Sequence, residues 1–173
     1  MRRRLLIAGI GNLFFGDDAF GCEVTRRLRA SHARLHPGVE LRDFGVSVRA
    51  LGYELASRSA ADSGERVLIV DAVATGAAPG TLQLFDLAAP DAFCARLVTH
   101  HAQGLADALH TARALGARLD GTYLLGCEPD GLEPAAVLGR LTPLVEAAAQ
   151  RCVALLGRLI EEPEQDLVAL CLR

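Results

Sequence analysis

The sequence predicts an α/β three-layer sandwich: a mainly parallel sheet of about five strands with helices on both faces. Three observations carry that expectation. Apolar runs of strand character alternate along the chain with segments of helical periodicity, the order that builds βαβ units. One run, Val67-Leu68-Ile69-Val70-Asp71, is β-branched and apolar almost throughout, as in a mid-sheet strand covered on both faces. The chain has 173 residues, 51% hydrophobic and 23% charged, which suits one globular domain rather than a disordered or fibrous protein.

Residues 5–8 form the first expected strand, stopped by the turn-forming Gly9-Ile10-Gly11-Asn12. From Asp17 onward Phe20, Val24 and Leu28 recur at helical spacing. Asp17 and Asp18 fall in the first turn of this expected helix and Arg26, Arg27 and Arg29 near its end, matching the helix dipole. His36-Pro37-Gly38 breaks the chain before an alternating second strand over residues 39–43, and a helix over 48–56 follows. Small polar residues 57–65 read as a surface loop before the central strand 67–71. Residues 81–85 alternate as a further strand after Pro79-Gly80. Leu105, Ala108, Leu109, Ala112 and Leu115 mark a helix beginning near His101, and residues 122–127 another strand. Pro143 stands at a first helical position with Thr142 as its cap, and Val145, Ala148, Cys152, Leu155 and Leu159 supply the buried stripe of a long last helix. Pro163 ends it, so residues 1–162 are expected to form a single domain and 163–173 a short C-terminal tail.

Composition excludes several function classes. With 18 basic against 21 acidic residues the formal charge is -3, so no basic surplus exists to neutralise a phosphate backbone, and no nucleic-acid partner is expected. Every basic residue is Arg, which removes lysine Schiff-base and P-loop chemistry. The five cysteines, Cys22, Cys94, Cys127, Cys152 and Cys171, are dispersed, odd in number and form no CxxC, as in a reducing compartment. The opening Met1-Arg2-Arg3-Arg4-Leu5-Leu6-Ile7 imitates a signal peptide, but Gly9, Gly11, Asn12 and Asp17-Asp18 interrupt the apolar run. Nothing approaches the roughly 18 apolar residues that span a bilayer. A cytoplasmic protein with no membrane partner is expected.

Ligands of parallel sheets bind beyond the carboxyl ends of the strands, where this chain places polar clusters repeatedly: residues 9–18, Asp43-Phe44-Gly45, Asp71, and Glu128-Pro129-Asp130. A dinucleotide site fits poorly. Gly9-Ile10-Gly11 is followed by Phe14 where the GxGxxG motif needs its third glycine, and Asp17 and Asp18 would repel a pyrophosphate. None of Ser31, Ser47, Ser57, Ser59 and Ser63 lies in a GxSxG elbow. Cys127 beside Glu128 is a conceivable nucleophile, but a small buried thiol is the commoner role. The remaining groups, Asp18, Asp43 and Asp71 with His100 and His101, are those that bind a divalent ion with a position left open. The competing structural reading makes such aspartates helix caps or strand-end caps.

These residues carry a family resemblance. Gly9-Ile10-Gly11-Asn12-Leu13-Phe14-Phe15-Gly16-Asp17-Asp18-Ala19-Phe20-Gly21 resembles the N-terminal signature of the hydrogenase maturation endopeptidases. Asp43-Phe44-Gly45 resembles the family's Asp-Gly-Gly-Thr element, Val70-Asp71-Ala72 its central strand end, and Thr99-His100-His101 with Gly104-Leu105 its histidine motif. Gly126-Cys127-Glu128-Pro129 and Leu132-Glu133-Pro134 resemble its late segment. The resemblance implies an aspartate-type endopeptidase that removes the C-terminal extension of the nickel-iron hydrogenase large-subunit precursor after nickel insertion. It implies that Asp18, Asp71 and His101 are the metal ligands and catalytic groups, with Asp17 a helix cap and His100 a neighbour. It makes Gly11, Asn12, Asp43 and Gly45 candidates for substrate binding. The nickel is expected to arrive with the precursor, other divalent ions occupying the site in isolation. Two departures bear on substrate preference: Val46 stands where many relatives carry Thr, and Phe44 replaces the middle glycine. The alternatives are a nickel-checking chaperone that docks without cutting, and another hydrolase on a related scaffold.

Overall fold

The computed structural model describes residues 4–32, 34–60, 65–88, 103–134 and 137–171. Its elements are β1 (Leu5–Ile10), α1 (Phe20–Ser31), β2 (Val39–Gly45), α2 (Val48–Ala60), β3 (Arg66–Ala72), β4 (Leu82–Asp86), α3 (Gln103–Ala114), β5 (Thr122–Cys127), α4 (Pro143–Glu161) and α5 (Leu167–Cys171). The strands form one sheet in the order β2-β1-β3-β5-β4. All neighbours are parallel except β4, which lies antiparallel on β5 at the edge. The α/β sandwich with a mainly parallel sheet is therefore as expected.

Side-chain alternation divides the core into two layers, because successive residues of a strand point to opposite faces. Leu5, Ile7, Leu68, Val70, Leu125 and Cys127 pack on one face with the buried stripes of α1 and α4. Leu6, Ala8, Ile10, Val67, Ile69 and Leu124 pack on the other with Leu51 and Leu55 of α2 and Leu105, Ala108 and Leu109 of α3. The register between β1 and β2 slips between Gly9, paired with Asp43, and Ile10, paired with Gly45. The residue stepped over is Phe44, whose ring is buried in the α2–α3 layer and lies beneath the Arg42 guanidinium, 4.8 Å from the ring centroid.

Two expected boundaries are corrected. The first helix does not start at Asp17: Gly16–Ala19 form a 3₁₀ turn, and α1 begins at Phe20. The expected loop 57–65 is helical as far as Ala60, because Arg58 pairs with Glu54 of the same helix (2.8 Å), Glu65 (2.9 Å) and Glu40. Those pairs tie the last turn of α2 to Glu40 of β2 and to Glu65, just before β3. Thr142 stands at the N-cap of α4 with Pro143 at the first position, as expected, but makes no side-chain capping bond, its hydroxyl being engaged by Asp17. Beyond Pro163 the chain forms α5, with Leu167 buried in the α1–α4 layer, and the Gln165 carbonyl accepts a bond from Arg66 Nη1 (2.9 Å).

Helix α1 crosses the sheet at its carboxyl edge at very close range. A Cβ on Gly21 would stand 2.1 Å from the Val70 carbonyl oxygen and 2.2 Å from that of Ile10, both backbone atoms that cannot swing aside. Gly21→Ala must push the helix off β1 and β3. The expected cost is about 3 kcal/mol, the upper end of overpacking penalties, measured as a shift of the urea unfolding midpoint. A variant as stable as the wild type would show that this approach is not tight.

Candidate active site

The turn after β1 brings the first site residues to the carboxyl edge of the sheet. Gly11 has φ +148°, and a Cβ there would lie 2.0 Å from the Asp18 carbonyl oxygen. The Asn12 N–H donates to that same oxygen (3.0 Å), and the Asn12 side chain accepts from the Phe14 N–H (3.0 Å). Glycine at 11 is thus what lets the chain fold back and set Asp18 over the strand ends. Asp71, at the end of β3, shares the parity of Val67 and Ile69 and so faces the α2–α3 side. Together Ile10, Gly11, Asn12, Asp18, Gly45, Val46, Val48, Asp71, Gly104 and Leu105 line one cavity of about 190 Å³.

The electrostatics of the two carboxyls differ. Asp71 is 8% exposed and Asp18 half-buried. Burial pushes the Asp71 carboxyl well above the ordinary aspartate range, the nearby Asp18 carboxylate adds to the shift, and the Ala72 N–H that Asp71 Oδ1 accepts (2.8 Å) opposes it. Two acidic groups sharing a small pocket in this way favour either one retained proton or a bound cation. Among the described residues, no three His, Cys, Asp or Glu side chains converge as a ligand set. The pair supplies two oxygen-donor side chains, which fit one side of a divalent ion. His100 and His101 lie outside the described residues.

Of the other residues read from the sequence, Gly11, Asn12 and Gly45 line the cavity and Asp43 does not. Asp43 has the parity of Val39 and Leu41, and borders an open groove with Thr25, Arg26, Arg29 and Ala30 of α1. Its Oδ1 accepts from the Gly45 N–H (2.9 Å), a strand-end cap. Val48, Gly104 and Leu105 were missed as lining residues. The only signal for the last two was their place in the histidine motif.

Asp17 is the principal correction. It is not a helix cap but a wholly buried carboxylate, 0% exposed. Its Oδ2 accepts from the N–H groups of Asp130 and Gly131 and from the Thr142 hydroxyl, each at 2.9 Å, and its Oδ1 accepts from the Thr142 N–H at 2.7 Å. The Asp17 N–H donates in turn to the Gly131 carbonyl (2.9 Å). Glu128, grouped with the site from sequence, is likewise buried and accepts from Thr75 N–H and Oγ1 (both 2.8 Å) and from the Gly76 N–H (3.1 Å), which closes the loop after β3.

The thiols are poor nucleophile candidates. Cys127 faces the α1–α4 layer, away from the cavity, and burial, reinforced by Asp17, pushes its pKa up to about 12. Cys22 donates to the Gly11 carbonyl (3.5 Å), and burial raises it well above the ordinary thiol value, with Asp43, Asp71 and Asp18 adding to the shift.

A family model described as hydrogenase maturation protease matches residues 23–158. The chain belongs to the hydrogenase maturation protease family. The hydrogenase 2 maturation protease of Escherichia coli is 32% identical over 145 residues, which cover 83% of this chain and 82% of that one. The hydrogenase expression/formation protein HupD of Rhodobacter capsulatus is 32% identical over 152 residues, 87% of this chain and 68% of that one. The solved structure of the hydrogenase maturating endopeptidase HybD from E. coli superposes with a TM-score of 0.71 at 29% identity, covering 93% of this chain and 94% of that one. The hydrogenase 2 maturation peptidase from a Thaumarchaeota archaeon superposes with a TM-score of 0.60 at 31% identity, covering 92% and 99%. This chain is accordingly a peptidase of that family, and among its described residues no helix is long and apolar enough to cross a membrane.

Two neighbouring aspartates should behave in opposite ways. Asp17→Ala removes the buried acceptor of four hydrogen bonds and should cost about 3 kcal/mol, whereas Asp18→Ala should leave the melting temperature within a few degrees of wild type; equal losses would contradict the separation. Asp71 gives a pH signature. A carboxyl whose folded pKa lies above its unfolded value, about 3.9, favours the folded state below that value and loses this contribution as pH rises through the folded pKa. With chelator present, Asp71→Asn should therefore gain stability relative to wild type between pH 4 and pH 8, and a gap that narrows with rising pH would refute the raised pKa.

Proposed function

We propose that this peptidase removes a C-terminal extension from the large-subunit precursor of a nickel-iron hydrogenase after nickel insertion, using Asp18, Asp71 and His101 as its reacting face. The observation that carries the reading is the meeting of Asp18 and Asp71 in one small cavity at the carboxyl edge of the sheet, with the buried member held toward its protonated form. His101 joins them through the family resemblance of Thr99-His100-His101 with Gly104-Leu105, a motif whose last two residues line that cavity.

The nickel is part of the substrate in this proposal. Two carboxylates and an imidazole are weak nickel selectors beside the thiolates of a precursor's own site, so this face reads a metal already held by the precursor. Docking against it sets the scissile peptide beside Asp18 and Asp71, whose different surroundings separate the roles of base and acid. Water adds to the carbonyl carbon, the ionised carboxylate of the pair takes its proton, and that proton passes to the amide nitrogen as the C–N bond breaks. The dispersed cysteines, odd in number and without a CxxC, suit the cytoplasmic placement proposed with it.

Asp18→Ala, Asp71→Ala and His101→Ala should each lower cleavage of nickel-loaded precursor by about 100-fold or more while keeping the wild-type circular dichroism spectrum, with mass spectrometry of the large subunit as the readout. Nickel-free precursor should stay uncut at high enzyme concentration, and chelator treatment of the enzyme alone, followed by chelator removal, should leave its rate unchanged. Efficient cutting of nickel-free precursor, or an enzyme inactive until metal is returned to it, would establish a self-contained metalloprotease instead.

A further inference from the structure

The cavity at the strand ends is small for the task assigned to it. Its volume of about 190 Å³ lies below the roughly 300 Å³ at which ordinary ligand pockets begin, room for one side chain or the edge of a metal centre. Affinity for a folded partner must then come from the surface around it. Loops beside it carry exposed apolar side chains. Phe14 is 64% exposed, Val46 67% and Leu138 59%, with Leu13, Phe15 and Val137 also exposed.

These residues belong to one rim. Val46 and Asn12 line the cavity from two sides, joined where the Gly11 N–H donates to the Gly45 carbonyl (3.1 Å). Phe14 stands two residues after Asn12 and is held by its side chain, the Phe14 N–H donating to Asn12 Oδ1. Leu138 precedes Gly139, whose N–H donates to the Leu13 carbonyl (2.9 Å). The rim is thus pinned by hydrogen bonds while its apolar side chains face water. Such a patch costs solubility and adds nothing to the core, and a pre-ordered exposed aromatic beside a functional cavity is the usual anatomy of a protein-binding hot spot. Val46, exposed and on the cavity wall, extends the patch to the cavity.

We propose that the rim formed by Phe14, Val46 and Leu138 is the docking surface for the precursor, taking an apolar patch on the large subunit next to its scissile segment. The proposal rests on the function proposed above and assigns the recognition of that substrate to residues outside the reacting face. Continuity with the cavity commits the rim to this occupant, since Val46 and Asn12 form part of the cavity wall and the Asn12 side chain holds the Phe14 backbone beside it.

The test measures cleavage kinetics of nickel-loaded precursor by wild type, Phe14→Ser, Leu138→Ser and, as a control on a distant exposed apolar residue, Leu115→Ser, with oligomeric state read by light scattering. Phe14→Ser and Leu138→Ser should each raise KM about tenfold, the scale of a hot-spot truncation, with kcat changing far less, unaltered melting temperatures, and Leu115→Ser matching wild type. Rim variants with wild-type KM in the presence of an active wild-type enzyme overturn the docking surface alone. A wild-type dimer that the rim variants convert to monomer at unchanged KM overturns it in favour of a second copy of the chain. A wild type that binds the precursor, loses that binding in the rim variants, yet never shortens it would sink the cleavage reading and uphold the surface.

Discussion

A single buried carboxylate holds the working edge of this protein together. Asp17 accepts four hydrogen bonds from the segment that links β5 to α4, and its own N–H returns a fifth bond to the same segment. Four donors of that loop turn to one wholly buried carboxylate that has no access to water of its own, so the carboxylate and the loop depend on one another. Asp18 is carried on the same 3₁₀ turn. Its position over the strand ends is therefore set from below by the Gly11 fold-back and from the side by the residue that precedes it.

The second constraint is the alternation of the sheet. Asp71 and Asp43 both close strands at the carboxyl edge, but they stand on opposite parities. Asp71 meets Asp18 above the α2–α3 layer, while Asp43 turns toward α1 and caps its own strand end. Cys127 is excluded in the same way, since its parity sends it into the α1–α4 layer. One periodicity thus selects two of the carboxylates as a pair and leaves the other candidates in structural roles.

In the function proposed above, the paired carboxyls and the rim divide the work of a maturation protease. There a cavity that holds little more than one side chain would read a small chemical feature, and the apolar surface around it would supply the contact area that a protein substrate requires. Family membership fits such a division, because the edge where these loops cluster is where a shared scaffold accepts variation without disturbing its core.

Much of this was written locally in the chain. The central strand, the alternation of strands and helices, the glycine-bounded turn after β1 and the aspartates at 18 and 71 were readable because each follows from the period or turn chemistry of a few adjacent residues. The sequence by itself determined the fold class and which residue types gather at the strand ends. Only the tertiary structure decided what Asp17, Thr142 and Glu128 do, for their partners lie 50 to 125 residues away or across a loop with no periodic pattern. A buried carboxylate satisfied by backbone N–H groups looks, in sequence, the same as an exposed helix cap. It is burial, a property of the assembled chain, that turns one into a structural anchor and its neighbour into a site residue.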